Sequence, residues 1–363
     1  MNGVAPIALI MAGGTGGHVF PALAVARCLR ERGLTPVWLG TELGMESRLV
    51  PQHQIKMEFI SIGGVRGKGV HTLLVAPIKL VRAVWQAIKV IRRLKPVIVF
   101  GAGGFVSGPG GIAAWLLRTP LVIHEQNAIA GMTNRSLAKI ANRVFEAFPS
   151  SFAKNAICVG NPVRREIAAI EPPAARFATR HDAIRVLVVG GSLGARRLNE
   201  LLPAALALMP VDQRPQVIHQ SGEKNIAAAQ SAYREHQVVG EVRAFIEDMA
   251  AMYSWADLVV CRAGALTVSE LAAAGVASLL VPFPAAVDDH QTHNAQFLVK
   301  ADAAVMIQEK ELTAARLADL LQSLCQQGRG RLLTMAENAR ACAIVDADTR
   351  IADACVALAG GGV

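Results

Sequence analysis

The segment IALIMAGGTGGHVFPALAVARCLRERG, residues 7–33, joins a short apolar run to a helical pattern through a glycine-rich turn. The run 7–12 is long enough for one buried strand, and the helical pattern follows from Pro21. Four glycines, Thr15 and His18 fill the turn. Glycine lets a backbone adopt positive φ and approach a ligand closely, so the turn predicts a binding loop at the carboxyl end of a parallel strand.

Strand-like and helix-like runs alternate through the rest of the chain, which predicts parallel sheets covered by helices on both faces. The pattern also repeats. VLVVGGSLGA at 186–195 echoes residues 7–17, and the segment 258–283 echoes 97–125. We therefore expect an α/β protein built from two doubly wound, Rossmann-like domains.

The domain boundary is expected in CVGNPVRREIAAIEPPAAR, where Asn161-Pro162 and a later proline pair interrupt regular structure. This boundary gives an N-terminal domain over 1–162 and a C-terminal domain over 163–340. The last residues, 341–363, have a helical pattern. That helix packs on either domain, and we assign it to the N-terminal one.

Composition limits the classes of function. The chain has 363 residues, of which 52% are hydrophobic and 18% charged, so two packed cores are possible and disorder is disfavoured. The formal net charge of +9 favours anionic partners, such as acidic lipid or a phosphorylated substrate. We expect no nucleic-acid partner, because only 5% of residues are aromatic and no stacking motif is evident. Six scattered cysteines without a C-x-x-C pair indicate a reducing compartment rather than zinc or disulfides.

The uncharged stretch 96–117 imitates a membrane span. It contains six glycines and two prolines, which a spanning helix would rarely carry. A strand, a glycine loop and the start of a helix explain it better.

Three glycine-rich loops follow predicted strands, at 13–17, 101–111 and 190–194. For a single loop, the alternative is that the glycines serve only to permit a tight turn. Three such loops at the carboxyl ends of strands instead indicate phosphate binding at helix N-termini. The dinucleotide fingerprint G-x-G-x-x-G fails because Val19 occupies its third glycine position, although Glu42 lies where a ribose-binding acid would. A nicotinamide-dependent oxidoreductase is therefore disfavoured.

His18 has two possible roles, helix capping and acid–base catalysis, and its place at a strand end keeps the second open. In the second half, the segment 264–267 begins a helix directly after a strand and would present N–H groups to an anion. Glu270, about one turn further, is a candidate acceptor for sugar hydroxyls or a partner of the helix dipole.

The segment 72–95 predicts a helix with a basic stripe and a wide apolar arc. Such a helix is typical of proteins that bind an anionic membrane surface, but a sheet-covering helix with a solvated basic face is the alternative. The residues predicted to face the membrane are Ile78, Lys79, Arg82, Trp85 and Lys89.

Six motifs occur in order along the chain: MAGGTGGHVFPALAVA, GAGGFVSGPGGIAAWL, IHEQNAIAGMTNR, VGNPVR, VVGGSLGAR and CRAGALTVSELAAAG. Together they closely resemble the MurG family of bacterial cell-wall enzymes. The resemblance implies a GT-B fold, with two domains facing each other across a cleft. It implies inverting transfer of N-acetylglucosamine from UDP-N-acetylglucosamine to the C4 hydroxyl of lipid I, forming lipid II, with no nucleotide redox cofactor. No metal is expected either, because no Asp-x-Asp signature is evident near the donor loops.

The resemblance also implies where the donor binds. The expected donor contacts include the start of the 265–270 helix, with Glu270 on the ribose, Phe245 and Ile246 beside the uridine, and Gln291 on the N-acetylglucosamine. The full set is Thr15, Gly16, Gly17, Asn127, Arg164, Ser192, Phe245, Ile246, Ala265, Leu266, Thr267, Val268, Ser269, Glu270 and Gln291.

The acceptor, by the same resemblance, binds in the N-terminal domain at the cytoplasmic face of the inner membrane, where the protein is peripheral. Its diphosphate is expected against Gly14, Thr15, Gly16, Gly103, Gly104, Ser107 and Gly108. The leading candidate for the general base is His18, because imidazole titrates near neutral pH, and the second candidate is Glu125.

Three alternatives remain at this point. Another GT-B enzyme acting on UDP-N-acetylglucosamine, such as the 2-epimerase or a different glycosyltransferase, is the nearest, and the wide basic helix argues against an epimerase. The other two are the oxidoreductase and a non-enzymatic membrane adaptor, which would leave the glycine loops unexplained.

Overall fold

The computed structural model describes residues 5–63, 70–152, 156–190, 195–326 and 328–360, with the side chains of 70–75 and 287 excepted. The chain divides into two compact units. One comprises Met1–Val163 together with Val345–Val363, and the other comprises Arg164–Ile344.

The first unit contains a seven-stranded sheet and the helices that cover it. Its strands are β1 (Ile7–Met11), β2 (Thr35–Gly40), β3 (Lys56–Phe59), β4 (Ile98–Gly101), β5 (Leu121–Glu125), β6 (Arg143–Glu146) and β7 (Ile157–Cys158). Its helices are α1 (Gly16–Glu31), α2 (Glu46–Leu49), α3 (Val70–Leu94), α4 (Ser107–Leu116) and α5 (Met132–Leu137), and the C-terminal Ala347–Gly360 belongs to it as well.

The second unit contains a six-stranded sheet. The helices before and within it are α6 (Arg165–Ala168), α7 (Pro173–Ala178), α8 (Arg196–Leu208), α9 (Ile226–Glu235), α10 (Met249–Trp255), α11 (Ala265–Ala274), α12 (His290–Lys300), α13 (Ala314–Gln326) and α14 (Gly328–Ala341). Its strands are β8 (Arg185–Val189), β9 (Gln216–Gln220), β10 (Glu241–Arg243), β11 (Leu258–Cys261), β12 (Ala277–Leu280) and β13 (Ala304–Met306).

Both sheets are parallel and share one topology. The strand order is β3-β2-β1-β4-β5-β6-β7 in the first unit and β10-β9-β8-β11-β12-β13 in the second. In each, the order reverses beside the first strand, between β1 and β4 and between β8 and β11. Ligands of doubly wound sheets bind at this switch point, outside the carboxyl ends of the strands. The prediction of two doubly wound domains is confirmed.

The first sheet is buried on both faces. Along β1, Ala8 and Ile10 pack in one apolar cluster with α1, while Leu9 and Met11 pack in another with α3 and α4. Successive side chains of a strand point to opposite faces, so continuous apolar runs such as IALIM are what a sheet between two helical layers requires.

The C-terminal helix α15 (Ala347–Gly360) packs on α1 in the first unit. Its residues Ile351 and Cys355 are completely buried in the same apolar cluster as Leu29. Asp348 adds a polar contact, because its carboxylate lies 3.3 Å from the Arg27 guanidinium.

The uncharged stretch 96–117 forms β4, the following loop and α4. Among the described residues, no helix has both the length and the apolarity needed to cross a membrane.

Candidate active site

The two glycine loops of the first unit meet at the carboxyl edge of its sheet. A Cβ atom on Gly104 would overlap the carbonyl oxygen of Gly13, and one on Gly103 would lie 2.8 Å from Nδ1 of His18. Gly103 and Gly104 have φ of 93° and 82°, a region that other residues rarely adopt. The loop after β4 therefore fits against the loop after β1 only because both positions are glycine.

The start of α1 offers an anion site at this edge. Thr15 is the N-cap, and its side chain makes no capping hydrogen bond. The first N–H groups of a helix have no partner inside the helix, so those of Gly16 and Gly17 are available to a phosphate. Gly14 differs, because its N–H donates to Glu46 Oε2 over 3.2 Å. We therefore assign Gly14 to the shape of the loop rather than to direct phosphate contact.

Glu46 is a residue that the sequence reasoning missed. Its carboxylate is completely buried and accepts hydrogen bonds from the Thr41 N–H at 3.0 Å and the Thr41 hydroxyl at 2.8 Å, besides that from Gly14. It thereby ties the turn after β2 to the loop after β1. The nearby acid considered from the sequence, Glu42, is exposed. The only signal in the sequence was an acidic residue shortly after the end of β2, and Glu42 and Glu46 both fit that description.

Ser107 also belongs to the frame of the site. The side chain is completely buried, with Oγ 2.8 Å from the Gly103 carbonyl oxygen and 3.1 Å from that of Met11. Its hydroxyl proton is therefore directed to the backbone rather than to a diphosphate. Gly108, one residue further along α4, is half-buried and remains a candidate contact through its N–H.

A row of polar groups connects His18 to the interior. Nδ1 of His18 lies 2.8 Å from Gln126 Oε1, and Gln126 Nε2 lies 3.1 Å from Nδ1 of His124. Nε2 of His124 in turn lies 2.9 Å from the carbonyl oxygen of Gly160. His124 is completely buried, and burial lowers its pKa to about 4, so the ring is neutral near pH 7.

Glu125, the second candidate base, is buried and fully engaged. One carboxylate oxygen accepts from the N–H and the side-chain amide of Asn127, at 2.9 and 3.2 Å. The other accepts from the Gly131 N–H at 3.1 Å and the Asn134 amide at 2.9 Å. Both carboxylate oxygens are thus occupied by donors, and uptake of a proton from an acceptor would require at least one of these hydrogen bonds to break. The geometry therefore favours His18, which is only half-buried.

The second unit has its own helix start at a switch point. Gly264, with extended backbone, is the N-cap of α11, so the N–H groups of Ala265, Leu266 and Thr267 lie at the open end of the helix beyond β11. Val268 is different, because its side chain is completely buried and its N–H donates to the Gly264 carbonyl over 2.9 Å. We assign Val268 to the frame. Ser269 is half-buried, and the predicted contact Ser192 lies outside the described residues.

Glu270 is paired with Arg164 in this structure. The Arg164 Nε and Nη2 atoms lie 3.0 and 2.9 Å from Glu270 Oε1, and the Tyr253 hydroxyl lies 3.3 Å from Oε2. The carboxyl is 5% exposed, and its burial raises its pKa, which Arg164 partly offsets. Two residues expected to contact the donor thus neutralise each other here.

The remaining predicted donor residues of the second unit line the ends of its strands. The Phe245 side chain is 55% exposed, whereas Ile246 is buried and its N–H donates to Gln220 Oε1 over 3.0 Å.

Oε1 of Gln291 accepts from the N–H groups of Ala263 and Phe283, at 3.2 and 2.9 Å. The amide nitrogen of Gln291 is then the atom left to contact a sugar. Thr15, Gly16, Gly17 and Asn127, also predicted on the donor, belong to the first unit.

Helix α3 has one buried and one exposed face. Its buried face, including Ala83 and Ala87, packs on the first sheet. The opposite face is exposed and carries every side chain predicted to meet a membrane, namely Ile78, Lys79, Arg82, Trp85 and Lys89. The Lys89 ammonium lies 3.4 Å from the centre of the Trp85 ring. Trp115 and Leu116, at the end of the neighbouring α4, are exposed apolar side chains that the sequence reasoning missed.

Comparison with known proteins gave consistent matches over the chain. Residues 8–146 match the glycosyltransferase family 28 N-terminal domain, and residues 185–351 match the glycosyltransferase family 28 C-terminal domain. The chain is 57% identical to a UDP-N-acetylglucosamine–N-acetylmuramyl-(pentapeptide) pyrophosphoryl-undecaprenol N-acetylglucosamine transferase of Marinobacter nauticus, covering 97% of the chain and 98% of the relative. A protein of the same name from Dechloromonas aromatica is 53% identical, with the same coverage. The crystal structure of Acinetobacter baumannii MurG superposes with a TM-score of 0.87 at 42% identity, covering 97% of this chain and 99% of that one.

Proposed function

The chain belongs to the MurG family within glycosyltransferase family 28, and we propose that it transfers N-acetylglucosamine from UDP-N-acetylglucosamine to lipid I, forming lipid II. It is a glycosyltransferase with the GT-B fold. One observation carries the assignment of chemistry: His18 stands where two glycine loops meet at a switch point, beside the open N-terminus of α1.

The transfer is a single displacement with inversion. The C4 hydroxyl of the acceptor sugar attacks the anomeric carbon while the bond to UDP breaks, and His18 takes the hydroxyl proton through Nε2. Negative charge grows on the departing diphosphate as the sugar becomes oxocarbenium-like. Positive partial charges at the start of α11 and the Arg164 guanidinium stabilise that charge.

Donor binding gives Arg164 and Glu270 new partners in this proposal. The hydroxyls of a ribose offer hydrogen bonds to the carboxylate, and a diphosphate offers a stronger anion to the guanidinium. The Arg164 side chain is 46% exposed and free to turn toward the diphosphate, while Glu270 keeps the hydrogen bond from Tyr253 and gains those of the ribose. The raised pKa of Glu270 matches a group that needs such a partner to stay ionised.

The exposed face of α3 docks on anionic lipid in this proposal, which places the protein at the cytoplasmic face of the inner membrane. Lipid I is itself an undecaprenyl-linked acceptor, so the enzyme has to work at a membrane surface. Basic side chains near such a surface contribute about 1 kcal/mol each, and the exposed apolar side chains add burial.

UDP release from UDP-N-acetylglucosamine, measured with and without a soluble lipid I analogue, tests the function. We expect release that depends on the acceptor and a product with inverted anomeric configuration. Release without acceptor, or epimerisation of the donor, would contradict the proposal and favour another enzyme acting on this nucleotide sugar. A thermal-shift titration with UDP and NAD⁺ serves as the binding control, since only UDP should stabilise the protein.

A further inference from the structure

Gln126 lies between two histidines and is only 1% exposed. Its amide nitrogen faces His124, at 3.1 Å from the ring Nδ1 and 3.3 Å from the backbone carbonyl oxygen. A carbonyl oxygen can only accept, so the amide nitrogen must point toward His124 and the amide oxygen toward His18. The Asn161 amide, which donates to the Gln126 carbonyl over 3.0 Å, holds the backbone at this position.

The direction of every hydrogen bond between His124, Gln126 and His18 follows from the bond that His124 makes to the Gly160 carbonyl oxygen. The carbonyl oxygen of Gly160 carries no proton, so Nε2 of His124 must donate to it. In a neutral ring Nδ1 is then an acceptor, and it receives the Gln126 amide proton. Oε1 of Gln126 faces Nδ1 of His18 and can only accept, so that Nδ1 must carry the proton.

We propose that Gln126, oriented by His124, is a positioning residue that fixes neutral His18 as the tautomer protonated on Nδ1. The lone pair of His18 is then on Nε2, the nitrogen that takes the acceptor proton. This inference rests on the proposed function. Gln126 is only 1% exposed and contacts His18 directly, so its role is exerted through His18.

Two further observations support this role. The low pKa of His124, about 4, keeps that ring neutral over the range in which the enzyme would work, so the row retains one direction. Gly103 has no side chain where His18 Nδ1 lies, and a Cβ there would be only 2.8 Å from that atom. The glycine therefore lets the ring approach Gln126. Control of tautomer by a buried partner is a known requirement of histidine bases, and the wrong tautomer removes most of their catalysis.

The tautomer can be measured without any turnover. In protein labelled with ¹⁵N at histidine, long-range ¹H–¹⁵N spectra distinguish protonated from unprotonated ring nitrogens, and His18→Ala assigns the His18 signals. We expect His18 to be protonated on Nδ1 in the wild type at about pH 8. In Gln126→Ala the population should shift toward the Nε2-protonated form. A wild-type ring protonated on Nε2, or a population unchanged in Gln126→Ala, would overturn the proposal.

Two substitutions at His124 separate positioning from folding. Asparagine places an oxygen near the position of Nδ1 and keeps an acceptor for Gln126, but loses the bond to Gly160. Glutamine places an amide near Nε2 and keeps that bond, but loses the acceptor. His124→Asn should retain the His18 tautomer, and His124→Gln should lose it. The reverse order would show that the row acts only through the fold.

Kinetics complete the test. We expect Gln126→Ala to lower kcat roughly 10- to 100-fold, the scale on which the outer partners of a histidine act, with little change in the KM of the donor. An unchanged kcat together with the expected spectra would overturn the positioning role alone. Absence of transferase activity in the wild type would instead overturn the proposed function, and the spectra would still report the tautomer.

Discussion

Three histidines of this protein, His18, His124 and His219, differ in how deeply they are buried. His124 in the first unit and His219 in the second are both completely buried, and burial lowers the pKa of each to about 4. His219 lies 2.9 Å from Asn199 Oδ1 and 3.2 Å from the Tyr233 hydroxyl, so it too is held as a neutral ring between a hydrogen-bond acceptor and a donor. His18 is half-buried at a loop. Of the two buried rings, His219 serves the fold and His124 orients Gln126, while the half-buried His18 is the one available for proton transfer.

His18→Ala should lower kcat about 10²-fold or more, the usual contribution of a general base. Glu125→Gln should instead lower stability, by about 1–3 kcal/mol for each donor left unsatisfied, since the amide nitrogen cannot accept from Asn134 or Gly131. Turnover and melting temperature of the two variants give the comparison. A His18→Ala enzyme with near-normal turnover would remove His18 from the role of base.

His219 should make folding sensitive to acid. Its folded pKa of about 4 lies below the ordinary value of 6.5, so between these two pH values the unfolded chain binds a proton that the folded chain does not. Stability is then fully present above about pH 6.5 and falls toward pH 4, by about 2 kcal/mol between pH 7 and pH 5.

The test replaces His219 with glutamine, which does not titrate and can still donate to Asn199. Urea unfolding at pH 7 and pH 5 should show a smaller loss of stability in His219→Gln than in the wild type. His53→Gln, at an exposed histidine, is the matched control and should keep the wild-type pH dependence. Equal pH dependence in His219→Gln and wild type would contradict the prediction.

At the scale of elements, the decisive feature is how loops after neighbouring strands fit together. The loops after β1 and β4 touch because Gly104 lies against Gly13, and the turn after β2 joins them through buried Glu46. These contacts hold the start of α1 open to an anion and set the place of His18. The helix N-termini supply the N–H groups for anion binding, and the loops before them determine where those groups point.

Two glycines of these loops form a natural pair for mutation. Gly104 (φ 82°) and Gly14 (φ 96°) both have left-handed backbones, but an added Cβ would clash with backbone only at Gly104, and at Gly14 it would meet nothing within 4 Å. Gly14→Ala should cost about 1–2 kcal/mol, for its conformation alone. Gly104→Ala should cost more and also lower kcat, because the loop after β4 must move away from His18. Melting temperature and turnover measure both, and equal effects would show that contact between the loops is unimportant.

The molecule consists of two units with the same kind of parallel sheet, and its net charge is strongly positive. Each sheet reverses its order beside its first strand, so each unit has a switch point with a helix N-terminus close by, α1 in the first and α11 in the second. The net charge of +9 includes exposed basic residues of α3, where apolar side chains are also exposed. A donor that carries a diphosphate, an acceptor that carries another and an anionic membrane all match that charge.

Binding to anionic vesicles should therefore need both charge and apolar contact. Ile78 and Val81 are 71% and 70% exposed on α3, and replacing both with serine should weaken vesicle binding about tenfold or more. The control replaces Val211 and Val239 of the second unit, which are 77% and 92% exposed, and should leave binding unchanged. Sedimentation with vesicles measures binding, which should also weaken as salt rises. Equal loss in both double variants would contradict a membrane role for α3.

The amino-acid sequence by itself determined the two doubly wound domains, the glycine loops, His18 and the helix start at Ala265. Each of these is local. A strand or a helix shows in the periodicity of a few residues, and a glycine loop shows in its composition. The exposed face of α3 was visible in the same way, as one stripe of a helix.

Only the tertiary structure decided which groups face each other. Gln126 is 108 positions from His18, and Glu46 is 32 positions from Gly14, so no local pattern could connect them. The same packing buried the side chains of Ser107 and Val268 and placed hydrogen-bond donors on both carboxylate oxygens of Glu125. The physical reason is that sheet order and loop contact bring the ends of separate strands together, and hydrogen-bond partners there are chosen by distance in space rather than along the chain.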